Sequence, residues 1–135
     1  MKSPEEIVNL MLQNDAFSQW MNLEVIKIGA GFCTVSCKVN SEMLNGFHIL
    51  HGGISFSLAD SALAFASNSY GNQCVSIETS ISHTKPAKLG DTIFASCQEL
   101  YRGKTTGIYE VKVINQDQKL IALFKGTVHV SEKVW

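Results

Sequence analysis

Along the chain the apolar positions recur first at helical spacing, then alternate, return to helical spacing, and alternate again to the end. Ile7, Leu10 and Met11 form a stripe behind Ser3, Pro4 and Glu6, a capping-box start with proline at the first helical position. This predicts a short opening helix, continued as a second helical turn by Phe17, Trp20 and Met21. Residues 23–28 and 32–39 then alternate, and Gly29-Ala30-Gly31 between them predicts a hairpin. Cys33, Val35, Cys37 and Val39 share one face of its second strand.

No period holds over residues 40–50, which contain Asn45, Gly46 and His48 and read as a loop of the kind that often carries function. The next segment, HGGISFSLADSALAFASNSYG, predicts a helix from residue 52 to about 68 that closes near Gly71. Its apolar residues, from Ile54 to Ala66, wrap most of the circumference, so such a helix needs cover on nearly every side. Four alternating runs follow, at 74–84, 92–102, 106–115 and 120–130, joined by short turn-like connections. Val75, Ile77, Thr79 and Ile81 fall on one face of the first run. This order of elements predicts an α+β fold, one antiparallel sheet curling around the central helix. At 135 residues the chain reads as a single domain, 1–135.

Composition narrows the function classes. A formal charge of -1, without any block of Lys or Arg, supplies no field for nucleic acid or anionic lipid, and neither is expected as a partner. The N-terminus lacks a secretory pattern, and no segment reaches about 20 uninterrupted apolar residues, so a cytoplasmic protein is expected. Cys33, Cys37, Cys74 and Cys97 form no C-x-x-C pair and read as reduced thiols packed in the core. His48 and His51 are spaced for a metal, but no third ligand stands near them, and a catalytic zinc site takes three; no metal or cofactor is expected. Gly103-Lys104-Thr105 imitates the end of a P-loop, yet Gln98 stands where the first glycine belongs and a strand follows.

Asp60 is the one acidic residue of the apolar helix, and no basic residue accompanies it. An ionised carboxylate in apolar surroundings costs several kcal/mol unless it neutralises, finds donors or is held for chemistry. It could pair locally with Ser57, Ser61 or His51. Upstream, however, His51-Gly52-Gly53 opens the helix, where free N–H groups and the positive dipole end can polarise a carbonyl, and glycine admits close approach. Gly52 and Asp60 are separated by about 12 Å of helical rise, whereas a base must stand within about 3 Å of its proton. One helix therefore cannot easily bring both to one reacting carbon; two antiparallel copies could. This predicts a two-fold dimer with composite sites.

The run NGFHILHGGISFSLADSALAFASNS, with Val75-Ser-Ile-Glu-Thr, Lys85-Pro-Ala-Lys-Leu-Gly-Asp and the Arg102-Gly-Lys-Thr turn, resembles the hotdog-fold acyl-CoA thioesterases of the phenylacetate-degradation (PaaI) type. The resemblance extends from about Leu23 onward, and its N-x5-HGG-x6-D core spans Asn45 to Asp60. It implies a hotdog fold and hydrolysis of an acyl-CoA thioester to free acid and CoA. It further implies Asp60 as general base or nucleophile, Gly52 as the polarising N–H, and Asn45 and His51 as positioning groups, with Ser76 and Ser61 available to order water. An Asx-turn for Asn45 and a helix-entry hydrogen bond for His51 are the alternatives. Arg102, Lys104 and Lys85 would meet the CoA moiety, or else are solvated charges. Phe47, Phe56, Leu58, Tyr70 and Trp20 could line the acyl pocket. The family habit implies a homodimer as functional unit, assembled into a homotetramer. The rival readings are a non-catalytic acyl-CoA-binding or regulatory module, and a hydratase or dehydratase, for which no second acid-base motif is found.

Overall fold

The computed structural model describes residues 1–135. Helix α1 (Pro4–Gln13) starts with the predicted reciprocal cap: the Ser3 hydroxyl accepts from the Glu6 N–H at 3.2 Å, and the Ser3 N–H donates to Glu6 Oε2 at 2.9 Å. Helix α2 (Ala16–Trp20) is capped by Asp15, whose carboxylate accepts from the Ser18 N–H. Strands β1 (Glu24–Gly29) and β2 (Phe32–Lys38) form the hairpin, with Gly31 at positive φ in its two-residue turn. Cys33, Val35, Cys37 and Val39 all face the core, and the four cysteines are free and buried. Burial pushes the Cys33 thiol up to about 12 and that of Cys37 to about 11.

The segment before the central helix is more ordered than its lack of period suggests. Ser41–Met43 form a 3-10 turn, Leu44 bridges Leu50, and buried Met43 and Leu50 anchor it. Helix α3 (Gly52–Asn68) follows at the expected place. Around it lie β3 (Asn72–His83), β4 (Thr92–Arg102), β5 (Thr106–Asn115) and β6 (Leu120–Val134). All six strands pair antiparallel in the order β1-β2-β4-β5-β6-β3. Leu58, Ala59, Ala62, Leu63, Phe65 and Ala66 seat α3 in the concave face of the sheet. Gly126 on β6 makes close packing possible: a Cβ there would lie 2.5 Å from Leu63 Cδ2.

The structure sharpens or corrects three expectations. First, α3 is covered on nearly every side, as expected, except along one stripe where Gly53, Ser57, Asp60 and Ala64, at i, i+4, i+7 and i+11, stay partly or fully open. Second, Val75, Ile77, Thr79 and Ile81 do not share a face. The β3–β6 register shifts between Ser76 and Glu78, so that Ser76 pairs with inward Val128 and Ile81 with inward Phe124. Val75 and Ile77 are left 64% and 62% exposed on an edge strand. Third, β6 continues past residue 130, because Val134 pairs with Asn72 at the start of β3 although Ser131, Glu132 and Lys133 have no apolar alternation.

Candidate active site

Helix α3 carries both halves of the predicted site and points them into different cavities. At its start the His51 Nδ1 accepts from the Gly53 N–H at 2.8 Å, so His51 serves as the N-cap. With Nδ1 accepting, the neutral ring holds its proton on Nε2. Gly52 lines a cavity of about 390 Å³ together with Asn45, Ser55, His83 and Lys85. The Asn45 Oδ1 accepts from the N–H groups of Phe47 (2.9 Å) and Ile49 (3.3 Å), an Asx-type turn that holds the loop against the helix entry. That leaves the Asn45 Nδ2 as a donor with no protein acceptor, on a residue that borders Gly52.

Two turns further on, Asp60 lines a second cavity of about 230 Å³ with Leu63, Ala64, Ser67, Cys74, Val75, Ser76 and Val128. The two cavities share no residue. Burial raises the Asp60 pKa above its ordinary 3.8, and the charge of Asp15 adds to the rise. No protein donor within the subunit offsets either effect. Ser76 joins Asp60 because the register shift in β3 comes just after it, keeping its side chain on the helix side. Ser61 does not join: its hydroxyl lies 3.0 Å from that of Ser18, which in turn donates to Asp15 at 2.7 Å, and it ties α2 to α3.

The basic residues separate. Lys85 borders Gly52, and Lys104 is exposed in the β4–β5 turn. Arg102 is turned inward at the far end of α3, where its Nη1 donates to the Ser67 carbonyl (2.8 Å) and to the Tyr109 hydroxyl (3.0 Å). Its guanidinium also lies 4.7 Å over the Tyr70 ring, and both tyrosine hydroxyls donate to Glu99. A cation at a helix C-terminus that satisfies a last-turn carbonyl needs no ligand to explain it. The Gly103-Lys104-Thr105 segment is a tight turn between antiparallel strands, unlike a phosphate-binding loop. No group of three His, Cys, Asp or Glu side chains is arranged to hold a metal ion.

The expected acyl-pocket residues do not converge. Leu58 is fully buried in the core and Phe56 packs against Phe124, while Tyr70 belongs to the Arg102 cluster. Trp20 packs on Phe17, and Phe47 is 84% exposed in the loop. The sequence reading overlooked His83. Its place two residues beyond Ile81 on the helix-facing side of β3 was the available signal, but nothing local says that this strand end meets the start of α3.

A six-stranded antiparallel sheet curled around one helix, with a glycine-opened helix start and a lone carboxylate two turns on, defines the hotdog architecture. The profile of the thioesterase superfamily matches residues 47–122, and the chain belongs to that family, as a PaaI-type thioester hydrolase. It is 41% identical over 119 residues to acyl-coenzyme A thioesterase PaaI of Escherichia coli, covering 88% of this chain and 85% of that protein. The solved structure of the E. coli PaaI protein superposes with a TM-score of 0.95 over 97% of this chain and 95% of that one, at 37% identity. A Streptococcus mutans protein solved with acetyl CoA superposes at 0.81, with 31% identity over 84% of this chain and 92% of that one. No helix is long and apolar enough to cross a membrane.

Proposed function

We propose that this chain hydrolyses acyl-CoA thioesters to the free acid and CoA at sites shared between two subunits. The observation that carries this reading is the division of α3: Gly52 and Asp60 open into separate cavities, and Asp60 lies on the helix stripe left uncovered. A second α3 packed antiparallel along that stripe would bring the Gly52 N–H of one subunit to the Asp60 of the other. The exposed Val75 and Ile77 on the β3 edge beside it supply apolar surface for the same contact. The E. coli and S. mutans relatives, named for an acyl-CoA thioesterase and solved with acetyl CoA, support the substrate class.

In this arrangement the thioester oxygen sits on the Gly52 N–H, where the helix dipole favours developing negative charge. Asp60, made more basic by its desolvation, takes a proton from water as the water oxygen attacks the carbonyl carbon. The tetrahedral intermediate then collapses, the C–S bond breaks, and the CoA thiolate leaves with the proton that Asp60 took from water, which regenerates the carboxylate. If Asp60 instead attacks directly, an acyl anhydride on Asp60 forms before water cleaves it, and rapid-quench mass analysis would detect the adduct. Asn45, through its free Nδ2, and Ser76, beside Asp60, are placed to orient water or substrate. Leu63, Ala64, Val75 and Val128 offer an apolar seat for an aryl-acetyl or a medium to long acyl group. Lys85, at the Gly52 cavity, and Lys104 meet the CoA phosphates.

Subunit complementation tests the reading. Asp60→Asn is expected to lower kcat by about 10²- to 10⁴-fold across a panel of acyl-CoAs. Gly52→Pro removes the N–H at a first-turn position whose backbone accepts proline, since His51, at ψ 133°, already has the extended conformation that precedes it, and the proline Cβ displaces only the exposed His83 ring. Co-assembled, the two inactive variants regain activity, because one of the two shared sites is then intact. Two inactive parents with no recovery in the mixed dimer would refute the shared site. Tight acyl-CoA binding by the wild type without CoA release would return the binding-module reading.

A further inference from the structure

We infer that His83 is a second donor to the thioester oxygen, its Nε2–H acting beside the Gly52 N–H. This inference rests on the role proposed for Gly52 and adds a residue to it. Three observations converge on the ring. A Cβ built on Gly52 would lie 3.0 Å from His83 Nε2, 3.2 Å from Cε1 and 3.7 Å from Cδ2, so the imidazole edge lies against the Gly52 backbone. A side chain at position 52 would therefore press the ring outward by a few tenths of an ångström as well as crowd a ligand. His83 also lines the same cavity as Gly52, Asn45 and Lys85, with its side chain solvent-accessible.

The second observation concerns which nitrogen can donate. Ser55, one turn into α3 and buried, has its hydroxyl 3.5 Å from His83 Nδ1 and 3.1 Å from the Gly52 carbonyl. One hydroxyl proton thus has two acceptors. When it turns to Nδ1, the neutral ring keeps its own proton on Nε2, the nitrogen beside Gly52. Nε2 has no hydrogen-bond partner within the protein, so its N–H is available to a ligand. No added charge is needed at a helix end that already carries positive character.

The third is that the ring's place is held by pairing rather than by a flexible loop. His83 pairs with Ala122 on β6, and just beyond it the Thr84 hydroxyl donates to the Leu120 carbonyl at 2.6 Å. The Thr84 and Lys85 N–H groups both donate to the Ile121 carbonyl. An oxyanion donor is useful when its position is set before the charge develops, and this strand end meets that requirement.

The test compares His83→Phe, which keeps an aromatic ring and removes the donor, with His83→Gln, which keeps an N–H of similar reach. Loss of one preorganised donor is worth about 10²- to 10³-fold in an enclosed site, and for this solvent-accessible ring the expected fall in kcat for His83→Phe is about 10- to 100-fold. KM should stay within about twofold, and His83→Gln should recover most of kcat. A His83→Phe enzyme with kcat within about twofold of wild type, while Asp60→Asn is inactive, overturns the role of His83 and leaves the proposed function standing. An equal fall in His83→Phe and His83→Gln also overturns it. Full turnover by Asp60→Asn in the same assay overturns both readings. His83→Leu gives the same comparison if the phenylalanine variant does not fold.

Discussion

Replacing Arg102 with methionine separates two accounts of this residue, contact with CoA and closure of the helix end. Methionine keeps an unbranched apolar stem, so the change removes mainly the guanidinium. Lost with it are the hydrogen bonds to the Ser67 carbonyl and the Tyr109 hydroxyl, and the cation–π contact with Tyr70. Hydrogen bonds from charged donors contribute about 1.5–3 kcal/mol when buried; at this half-exposed site, where water can replace the donor, about 1 kcal/mol each is appropriate. The cation–π contact adds about 0.5–1 kcal/mol. The expected destabilisation is about 2–3 kcal/mol, or about 6–12 °C in Tm for a chain of this size. Thermal unfolding at matched subunit concentration measures it, since an oligomer's Tm depends on concentration. At a temperature where both proteins are folded, KM for acyl-CoA should be unchanged, as should KM for the same acyl group on N-acetylcysteamine, which lacks the nucleotide. An unaltered Tm together with a KM raised only for the CoA thioester would refute the structural account and assign Arg102 to the nucleotide.

Two further outcomes follow from the same geometry. Because the Asp60 pKa is raised in the folded protein, first by burial and then by Asp15, the folded state holds this proton at pH values where the unfolded chain has lost it. Stability therefore falls as pH rises from about 3.8 through the folded pKa, and the cost is fully present above it. Asp60→Asn should thus have a Tm at or above wild type at pH 7, with the gain disappearing in scans below the unfolded pKa; a lower Tm at pH 7 would show that a donor stabilises the carboxylate. Gly126→Ala would set a Cβ 2.5 Å from Leu63 Cδ2 and 3.3 Å from Phe124 Cε1, an overpacking cost of about 1–3 kcal/mol. In urea titrations the Leu63→Ala, Gly126→Ala double variant should be more stable than the sum of the single losses predicts, and strict additivity would contradict the clash.

Much of the candidate site was legible because its features are local. The cap at Ser3 and Glu6, the inward face of Cys33, Val35, Cys37 and Val39, and the extent of α3 all follow from spacing over a few residues. The rise from Gly52 to Asp60 is likewise a property of one helix, so the expectation that the two cannot meet within a subunit agrees with their separate cavities. The misplacements concern side chains whose surroundings come from distant segments. Arg102 reads as a turn residue until β4 brings it to Ser67, 35 positions away. Ser61 reads as a neighbour of Asp60 until α2 takes its hydroxyl, and Phe47, Phe56, Leu58, Tyr70 and Trp20 read as a pocket only while their positions are unknown.

What the sequence by itself determined is therefore the helix that carries the carboxylate, the inward face of the strand before it, and the distance along that helix between Gly52 and Asp60. These follow from backbone hydrogen bonding and side-chain periodicity within single elements. Tertiary structure decided which residues surround each end of that helix. Strand β3 follows α3 in sequence but pairs with β6 at the sheet edge, and its register shift at Ile77 turns Ser76 toward Asp60 while His83 closes on Gly52. One extra residue in a strand reverses the face of everything beyond it, and only the partner strand shows where that residue lies.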